Sequence, residues 1–578
     1  MKHILVLLAA MLLVPLVATM AAAAAETNFA LAGKFVPPPA SPKTGEQPTV
    51  APIENETPAQ RNERMAWWRE AKFGMFIHWG IYSIPADGEW HMRNKKQPFA
   101  EYSKFASQFN PVKFNADEWM ALAHDAGMKY VVITTKHHDG FALFKSQASS
   151  YNIVDATPFK RDVVKELSEA SPKHDIRFGT YYSFLADWGH KGGGAGCPHW
   201  DPAFQDGDIH DYIKTVAMPQ LKELVSNYGT LGEFWFDSDG AKGITPEESA
   251  QVVEILKTQP QLIVDPRLPG VKGDFGTAEQ HMPTLRPAGD WELCGTVNGS
   301  WGYTHSAAKP LNKLLPYMIT AWGMGGNVLM NVGPSPEGVI PEDSAQRLRE
   351  IGEWLRIYGD SIYGSKSGPF TYLPWGTATC KGSTLYLHIF DWPANSRLTV
   401  PLINEVKRAE LLGPGKHDIL KTELDRGRLI VHLPKKAPNA IANVVALTIE
   451  GKPHTDYVSV LLNRPVRASA EQKSAAGAVD ADEPSRWRNT EPKGWLEIDA
   501  EKTVTVATMR VTPFDGIKNC ALEYKEGNEW RPILTGLKLD RDCNVRNFPP
   551  VTAQVFRLNI LDSDKPPQIS NLELYPPL

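Results

Sequence analysis

Between residues 59 and 368 the chain alternates short apolar runs with stretches of helical periodicity. The runs at 73–80, 130–135, 176–183, 233–237, 262–267, 291–296 and 327–333 are rich in β-branched and aromatic residues, which predicts buried parallel strands. Helical spacing predicts helices at 62–72, 117–126, 162–170, 208–228, 246–257, 311–323 and 342–358. Strand following helix over about 300 residues argues for one (β/α)8-like TIM barrel, whose usual size is roughly 250 residues plus insertions. A doubly wound open sheet is the alternative, but no Gly-rich phosphate loop joins a strand to a helix. From about residue 369 helical periodicity stops. Alternating runs at 384–390 and 428–433 predict a small antiparallel β-sandwich over 369–451. A polar linker follows. Short strands at 495–498, 521–524 and 555–560 then predict a separate β-domain over 458–578. There are no internal repeats and no heptads.

Composition narrows the possibilities. With 578 residues, two to four domains are expected. A net charge of −5 offers no basic stripe for nucleic acid. Seventeen Trp is a high count; most should be core, and some excess would suit a protein that stacks on sugar rings. Residues 1–25 have a basic start, an apolar middle and small residues at Ala23, Ala24 and Ala25, which predicts a signal peptide cleaved near Ala25. A membrane anchor is disfavoured, since the run is barely long enough and no basic stop-transfer cluster follows. The expected mature chain therefore has no membrane span and is periplasmic or extracellular. Residues 26–58, rich in Pro, Ala, Thr and Gly, predict a flexible lead-in. Five cysteines, Cys197, Cys294, Cys380, Cys520 and Cys543, fit no zinc motif, and Cys520 with Cys543 is the pair expected to bridge.

The candidate chemistry lies at strand ends. Lys136-His137-His138-Asp139-Gly140-Phe141 ends the second apolar run with two imidazoles and a carboxylate, which packing does not explain. His78, Tyr181, Trp235, Asp237 and Arg267 end other runs, and a barrel would bring all of them to one mouth. Glu279 is expected on the loop after the fifth run. Strand alternation places Trp235 and Asp237 on one face, while Asp239 in Ser-Asp-Gly is expected to cap a turn.

These motifs carry a family resemblance. The segments 73–80, 136–141, 181–183, Trp235-Phe236-Asp237 and 327–334 resemble the α-L-fucosidases of glycoside hydrolase family 29, over roughly residues 59 to 451. The resemblance implies a multidomain α/β plus all-β chain and retaining hydrolysis of terminal α-L-fucose. It places the nucleophile on Asp237 and the acid/base on Glu279. It implies that His78, His137 and His138 hold fucose hydroxyls, and that Glu89, Trp90, Tyr181, Trp235, Arg267 and Trp301 complete the substrate pocket. His91 follows Trp90 where the family usually has an aromatic residue. The pattern Asp274-Phe275-Gly276-Thr277-Ala278-Glu279 resembles the family's broad-specificity branch. Glu292 is the rival acid/base. The last domain resembles discoidin-type jelly-roll modules, through segments 462–466, 495–499 and 557–560, and such modules often bind carbohydrate.

The expected partner is a fucosylated oligosaccharide or glycoconjugate, and no metal or cofactor is expected. A catalytically silent fucose-binding protein is disfavoured by retention of both Asp237 and Glu279. A metallohydrolase using His78, His137, His138 and Asp237 lacks a recognisable ligand pattern. Imidazoles suit sugar hydroxyls, because they offer both donor and acceptor.

Overall fold

The computed structural model describes residues 35–36, 56–194, 199–238, 243–482 and 485–578. The expected signal peptide, most of the lead-in, Cys197 and Asp239 lie outside them.

Eight parallel strands form a TIM-like barrel: β1 (Phe73–Ile77), β2 (Tyr130–Lys136), β3 (Arg177–Tyr182), β4 (Glu233–Phe236), β5 (Ile263–Val264), β6 (Gly276–Glu279), β7 (Trp291–Thr296) and β8 (Asn327–Val332). Seven match the apolar runs. The eighth, β6, is a correction, since the sequence places Glu279 on a loop. Gly-Thr-Ala-Glu is too short and too little β-branched to stand out, yet it pairs in parallel with β7, Glu279 opposite Cys294. A second difference lies in the lead-in, where Phe35–Val36 pairs antiparallel with β6.

Side chains alternate in and out along each strand. The inward set, Phe76, Val132, Tyr181, Trp235, Ile263, Cys294 and Leu329, forms a core of its own inside the barrel. Its lower end is closed by α1 (Pro58–Ala71), which contributes Met65, Trp68 and Ala71 to that core. Thr57 caps this helix, accepting from the Gln60 N–H at 3.3 Å while Gln60 accepts from the Thr57 N–H, with Pro at the first position. The outward faces of the strands pack on the surrounding helices in a larger cluster.

Hydrogen-bonded pairing runs from β6 round to β5 and does not cross between those two. Polar groups close that seam. The Asp274 N–H donates to Val264 O at 2.7 Å, and its carboxylate accepts from Val264 N–H at 2.9 Å. Arg64 of α1 reaches the same point, donating to Leu262 O at 3.1 Å and to Asp274 Oδ1 at 2.7 Å. Arg64 is buried and also pairs with Glu56 Oε1 at 2.7 Å, so removing the arginine leaves two carboxylates without their cation, at a cost of about 3–5 kcal/mol.

The predicted helix over 208–228 is divided: Ile209–Tyr212 and Met218–Asn227 are α-helical and Ile213–Ala217 is a π turn. Beyond the barrel lie a six-stranded and a three-stranded antiparallel sheet sharing one apolar core, and then a seven-stranded antiparallel sheet with its own. Cys520 and Cys543 are not bridged. Each is a free thiol, and Cys520 points into the core of the last sheet.

Candidate active site

The C-terminal ends of the barrel strands converge, as they must in parallel closure. His78 follows β1, His137 and His138 follow β2, and Tyr181 lies at the end of β3. Asp237 follows β4, Arg267 lies three residues past β5, and Glu279 ends β6.

Arg267 joins the two carboxylates. Its Nη1 stands 3.3 Å from Asp237 Oδ1 and 2.8 Å from Glu279 Oε2. Two oxygens on one nitrogen can be no farther apart than those distances combined, 6.1 Å. The guanidinium is buried, lies over the Trp235 ring at 4.8 Å, and is braced by Nε donating to Thr277 Oγ1 at 3.1 Å. Asp237 also accepts from the Tyr181 hydroxyl at 2.7 Å. Burial alone would raise the Asp237 carboxyl, but the neighbouring imidazole of His138, the Arg267 charge and the Tyr181 hydroxyl outweigh it and hold it below its ordinary value. His138 is itself pushed down by burial and stays neutral, so the permanent charge of Arg267 and the Tyr181 O–H are the groups that keep Asp237 ionised.

Hydrogen bonding sets the tautomers of two histidines. Asn331 Nδ2 donates to Trp301 O at 2.7 Å, which turns its Oδ1 toward His78 Nδ1, also at 2.7 Å. His78 Nδ1 therefore carries the proton and its Nε2 is a bare acceptor. Ser183 Oγ donates to Ala186 O at 2.8 Å, so it accepts from His138 Nδ1 at 2.6 Å. His138 Nε2 is then also an acceptor, 3.5 Å from Asp237 Oδ2. Two acceptors face one another there, an arrangement that a ligand hydroxyl relieves by donating to either. Burial lowers the His78 pKa to about 3 and drives that of His137 well below its ordinary value, so neither carries charge near neutral pH. The His137 ring lies parallel to that of Tyr181 at 5.6 Å.

The remaining expected residues line the same mouth. Trp301 packs on His78 with ring centroids 4.9 Å apart. Trp90 meets His138 edge-on at 5.3 Å and Trp188 at the same distance. Buried Glu89 accepts from the Gly302 N–H at 2.7 Å and so holds the Trp301 loop. Tyr181 and Trp235 are almost fully buried, so they shape the floor from below. His91 turns away to Asp87, at 3.0 Å. Glu292 lies deeper: wholly buried, it accepts from the Tyr130 hydroxyl and from Trp235 Nε1 at 3.2 Å, and burial pushes it up to about 7. That places it beneath the floor and away from the mouth.

Several supporting residues have roles the sequence reading does not give them. Asn331 and Ser183 fix the histidines. A buried polar residue in a largely apolar strand, as Asn331 is, signals a required partner. Lys136, wholly buried, pairs with Asp187 at 3.2 Å and accepts cover from the Tyr182 ring at 4.8 Å, holding the loop that carries Ser183. Gly140, at φ 80°, lets this loop approach, because a Cβ there would meet Asp187 Oδ1 at 2.1 Å.

His137, His138 and Asp237 each present one atom within 4.8 Å of the others, close enough to hold a cation. The permanent charge of Arg267 already occupies the same carboxylate, 3.3 Å away, and opposes a cation there.

A barrel mouth with two carboxylates on a shared arginine, neutral imidazole acceptors and an aromatic floor defines a glycoside hydrolase. Comparison with known proteins gives the particular family. The α-L-fucosidase family model matches residues 44–360, and the chain belongs to that family. It is 31% identical to human tissue α-L-fucosidase over 423 residues, covering 67% of this chain and 88% of that one. Human plasma α-L-fucosidase is 30% identical, covering 64% and 86%. Among solved structures, α-L-fucosidase isoenzyme 1 from Paenibacillus thiaminolyticus is 34% identical, with a TM-score of 0.62, covering 68% of this chain and all of that one. The α-L-fucosidase from Vibrio sp. strain EJY3 is 26% identical, with a TM-score of 0.68, and covers 89% of this chain and 98% of that one. The chain is thus a fucose-releasing glycoside hydrolase acting on fucosylated glycans.

Proposed function

We propose that this enzyme is a retaining exo-hydrolase that removes terminal α-L-fucose from oligosaccharides or glycoconjugates through a covalent fucosyl-aspartate. The observation that carries the mechanism is the 6.1 Å upper limit on the separation of Asp237 Oδ1 from Glu279 Oε2, set by their shared guanidinium nitrogen. Retaining sites hold their carboxyl groups about 5–5.5 Å apart, and inverting sites need about 6.5–9.5 Å to admit a water. In the first step Asp237 attacks the anomeric carbon while protonated Glu279 gives its proton to the glycosidic oxygen, and the alcohol leaves. In the second, Glu279 takes a proton from water, whose oxygen displaces Asp237 from the same carbon. Two inversions leave the configuration unchanged. Esterified Asp237 carries no charge, so Arg267 then balances Glu279 alone. A solved relative from Bacteroides thetaiotaomicron, 29% identical with a TM-score of 0.61, is a trapped covalent intermediate with 2-fluoro-fucosyl fluoride, which supports this reading.

The histidines act on hydroxyls. With Nδ1 protonated, His78 and His138 accept from the sugar through Nε2, and Trp301 packs on its face. The test is turnover of an aryl α-L-fucoside by wild type, Asp237→Ala, Glu279→Ala and Glu292→Ala. Loss in the first two variants only is expected. Wild-type rates in Asp237→Ala would overturn the mechanism. Retained activity in Glu279→Ala with loss in Glu292→Ala would move the acid/base. Activity should survive exhaustive chelation, and loss restored by a divalent metal would favour the His137, His138 and Asp237 cluster as a metal centre.

We also propose that the leader 1–25 exports the enzyme to the periplasm or beyond. No described helix is long and apolar enough to cross a membrane. A mature N-terminus near Glu26 in protein recovered outside the cytoplasm is the expected result, and an intact Met1 would overturn it.

A further inference from the structure

The segment after Glu279 has no regular secondary structure from Gln280 to Asp290, yet it is held on several sides. Gln280 has a left-handed backbone, φ 57°, and ties back to the barrel by donating its N–H to Cys294 O at 2.8 Å. His281 Nδ1 donates to the carbonyl of Glu279 itself at 3.3 Å. Arg286 Nη2 donates to Gly368 O at 2.8 Å and Phe370 O at 3.2 Å, where the second region begins. Thr284 O accepts from Arg510 Nη2 at 3.4 Å, and Arg510 belongs to the last sheet.

Arg510 is buried where the three regions meet. Its Nη1 donates to Glu573 Oε2 at 2.5 Å, and Glu573 Oε1 accepts from the Tyr575 hydroxyl at 2.8 Å. The Tyr575 oxygen lies 3.0 Å from Thr371 Oγ1, and Tyr372 covers the guanidinium at 5.2 Å. Tyr575 also packs on the Tyr372 ring at 5.1 Å. An arginine serving only its own sheet would need the Glu573 pair and nothing more. This one spends a second nitrogen on a barrel carbonyl and a face on a ring of the middle region, which a planar fork of five donors permits and a lysine does not.

We propose that Arg510 is a positioning residue for Glu279: through Thr284 O it sets the course of residues 280–286, and thereby the aim of the carboxyl that protonates the leaving group. The proposal rests on the acid/base reading of Glu279. It assigns the C-terminal module to one half of the chemistry, since Asp237 follows β4, where Arg510 makes no contact among the described residues.

The module's influence should then depend on how much help the leaving group needs. We would measure kcat/KM of the full chain on phenyl and 2-chloro-4-nitrophenyl α-L-fucosides for wild type, Arg510→Lys and the double variant Arg510→Met with Glu573→Gln, which leaves no charge buried alone. The expected result is a loss of about tenfold on the phenyl substrate and less than about twofold on the activated one. Equal losses on both, or none on either, overturn the proposal. If the double variant does not fold, Arg510→Lys, which keeps a cation for Glu573, decides the same question. Glu279→Gln is the control. If it shows no leaving-group dependence, the acid/base reading fails. If it does and the Arg510 variants do not, only the clamp fails.

Discussion

Asp237 and Glu279 share one guanidinium, yet they are held in different ways. Asp237 is fixed from two directions by Tyr181 and Arg267, just past a strand that is paired on both sides, with β3 and β5. Glu279 has the Arg267 contact and ends a four-residue strand that borders the polar seam, with irregular chain beyond it. The contrast matches the work proposed for each. A nucleophile needs one charge state and one direction. An acid/base changes its proton twice per turnover and must meet leaving groups of different shape, so its support comes from the rim.

The sharpest way to break this comparison is Asp237→Gly. Activity on an aryl fucoside should fall about 10⁴- to 10⁶-fold, as for loss of a nucleophile in other covalent enzymes. Azide should restore turnover by taking the vacated place, and an unrescued loss would point away from covalent catalysis. Next is Glu279→Gln, expected to cost about 10²- to 10⁴-fold on an unactivated leaving group and far less on an activated one. A smaller loss belongs to His138→Ala, which deletes one acceptor for a sugar hydroxyl next to the charged nucleophile. That is about 1.5–3 kcal/mol, or roughly tenfold to 150-fold in kcat/KM. Azide rescue of this variant would contradict a hydroxyl-binding role.

The smallest effect on rate is expected from Glu292→Gln. Burial holds the Glu292 proton more tightly in the folded protein than in the unfolded chain. Its contribution to stability is therefore complete below the ordinary value of 4.5 and is lost as the pH rises through about 7. The variant should keep near-wild-type kcat. Its melting temperature should decline less than that of wild type between these two pH values, and thermal melts across the window would show it. An unchanged slope would assign the pH dependence to the other carboxyls that burial raises, Glu233, Asp265 and Asp139.

Seven of the eight strands were legible because β-branched and aromatic runs announce themselves. His78, His137, His138 and Asp237 were legible because polar groups at the ends of such runs have no packing explanation. β6 was not, since four residues with one β-branched side chain carry almost no periodicity. Its strand state is imposed by pairing with β7, a tertiary effect. The roles of Asn331 and Ser183 depend on which neighbour each polar atom faces, and one-dimensional spacing does not contain that. The Cys520–Cys543 expectation failed for the same reason. Closeness in sequence says nothing about direction, and Cys520 points into the sheet's core.

The polar seam has a consequence for synthesis and trimming. Arg64 and Asp274, whose contact joins β5 to β6, are 210 positions apart. The plug that fills the barrel floor leaves the ribosome before any strand it will fill, and it must wait for most of the barrel to emerge. Co-translational closure is therefore late, with α1 exposing Met65, Trp68 and Ala71 in the interval. Removal of a leader at Ala25 leaves the Thr57 cap and the plug untouched. A protease cutting within α1 would unplug the barrel floor, at the end opposite the mouth that holds Glu279.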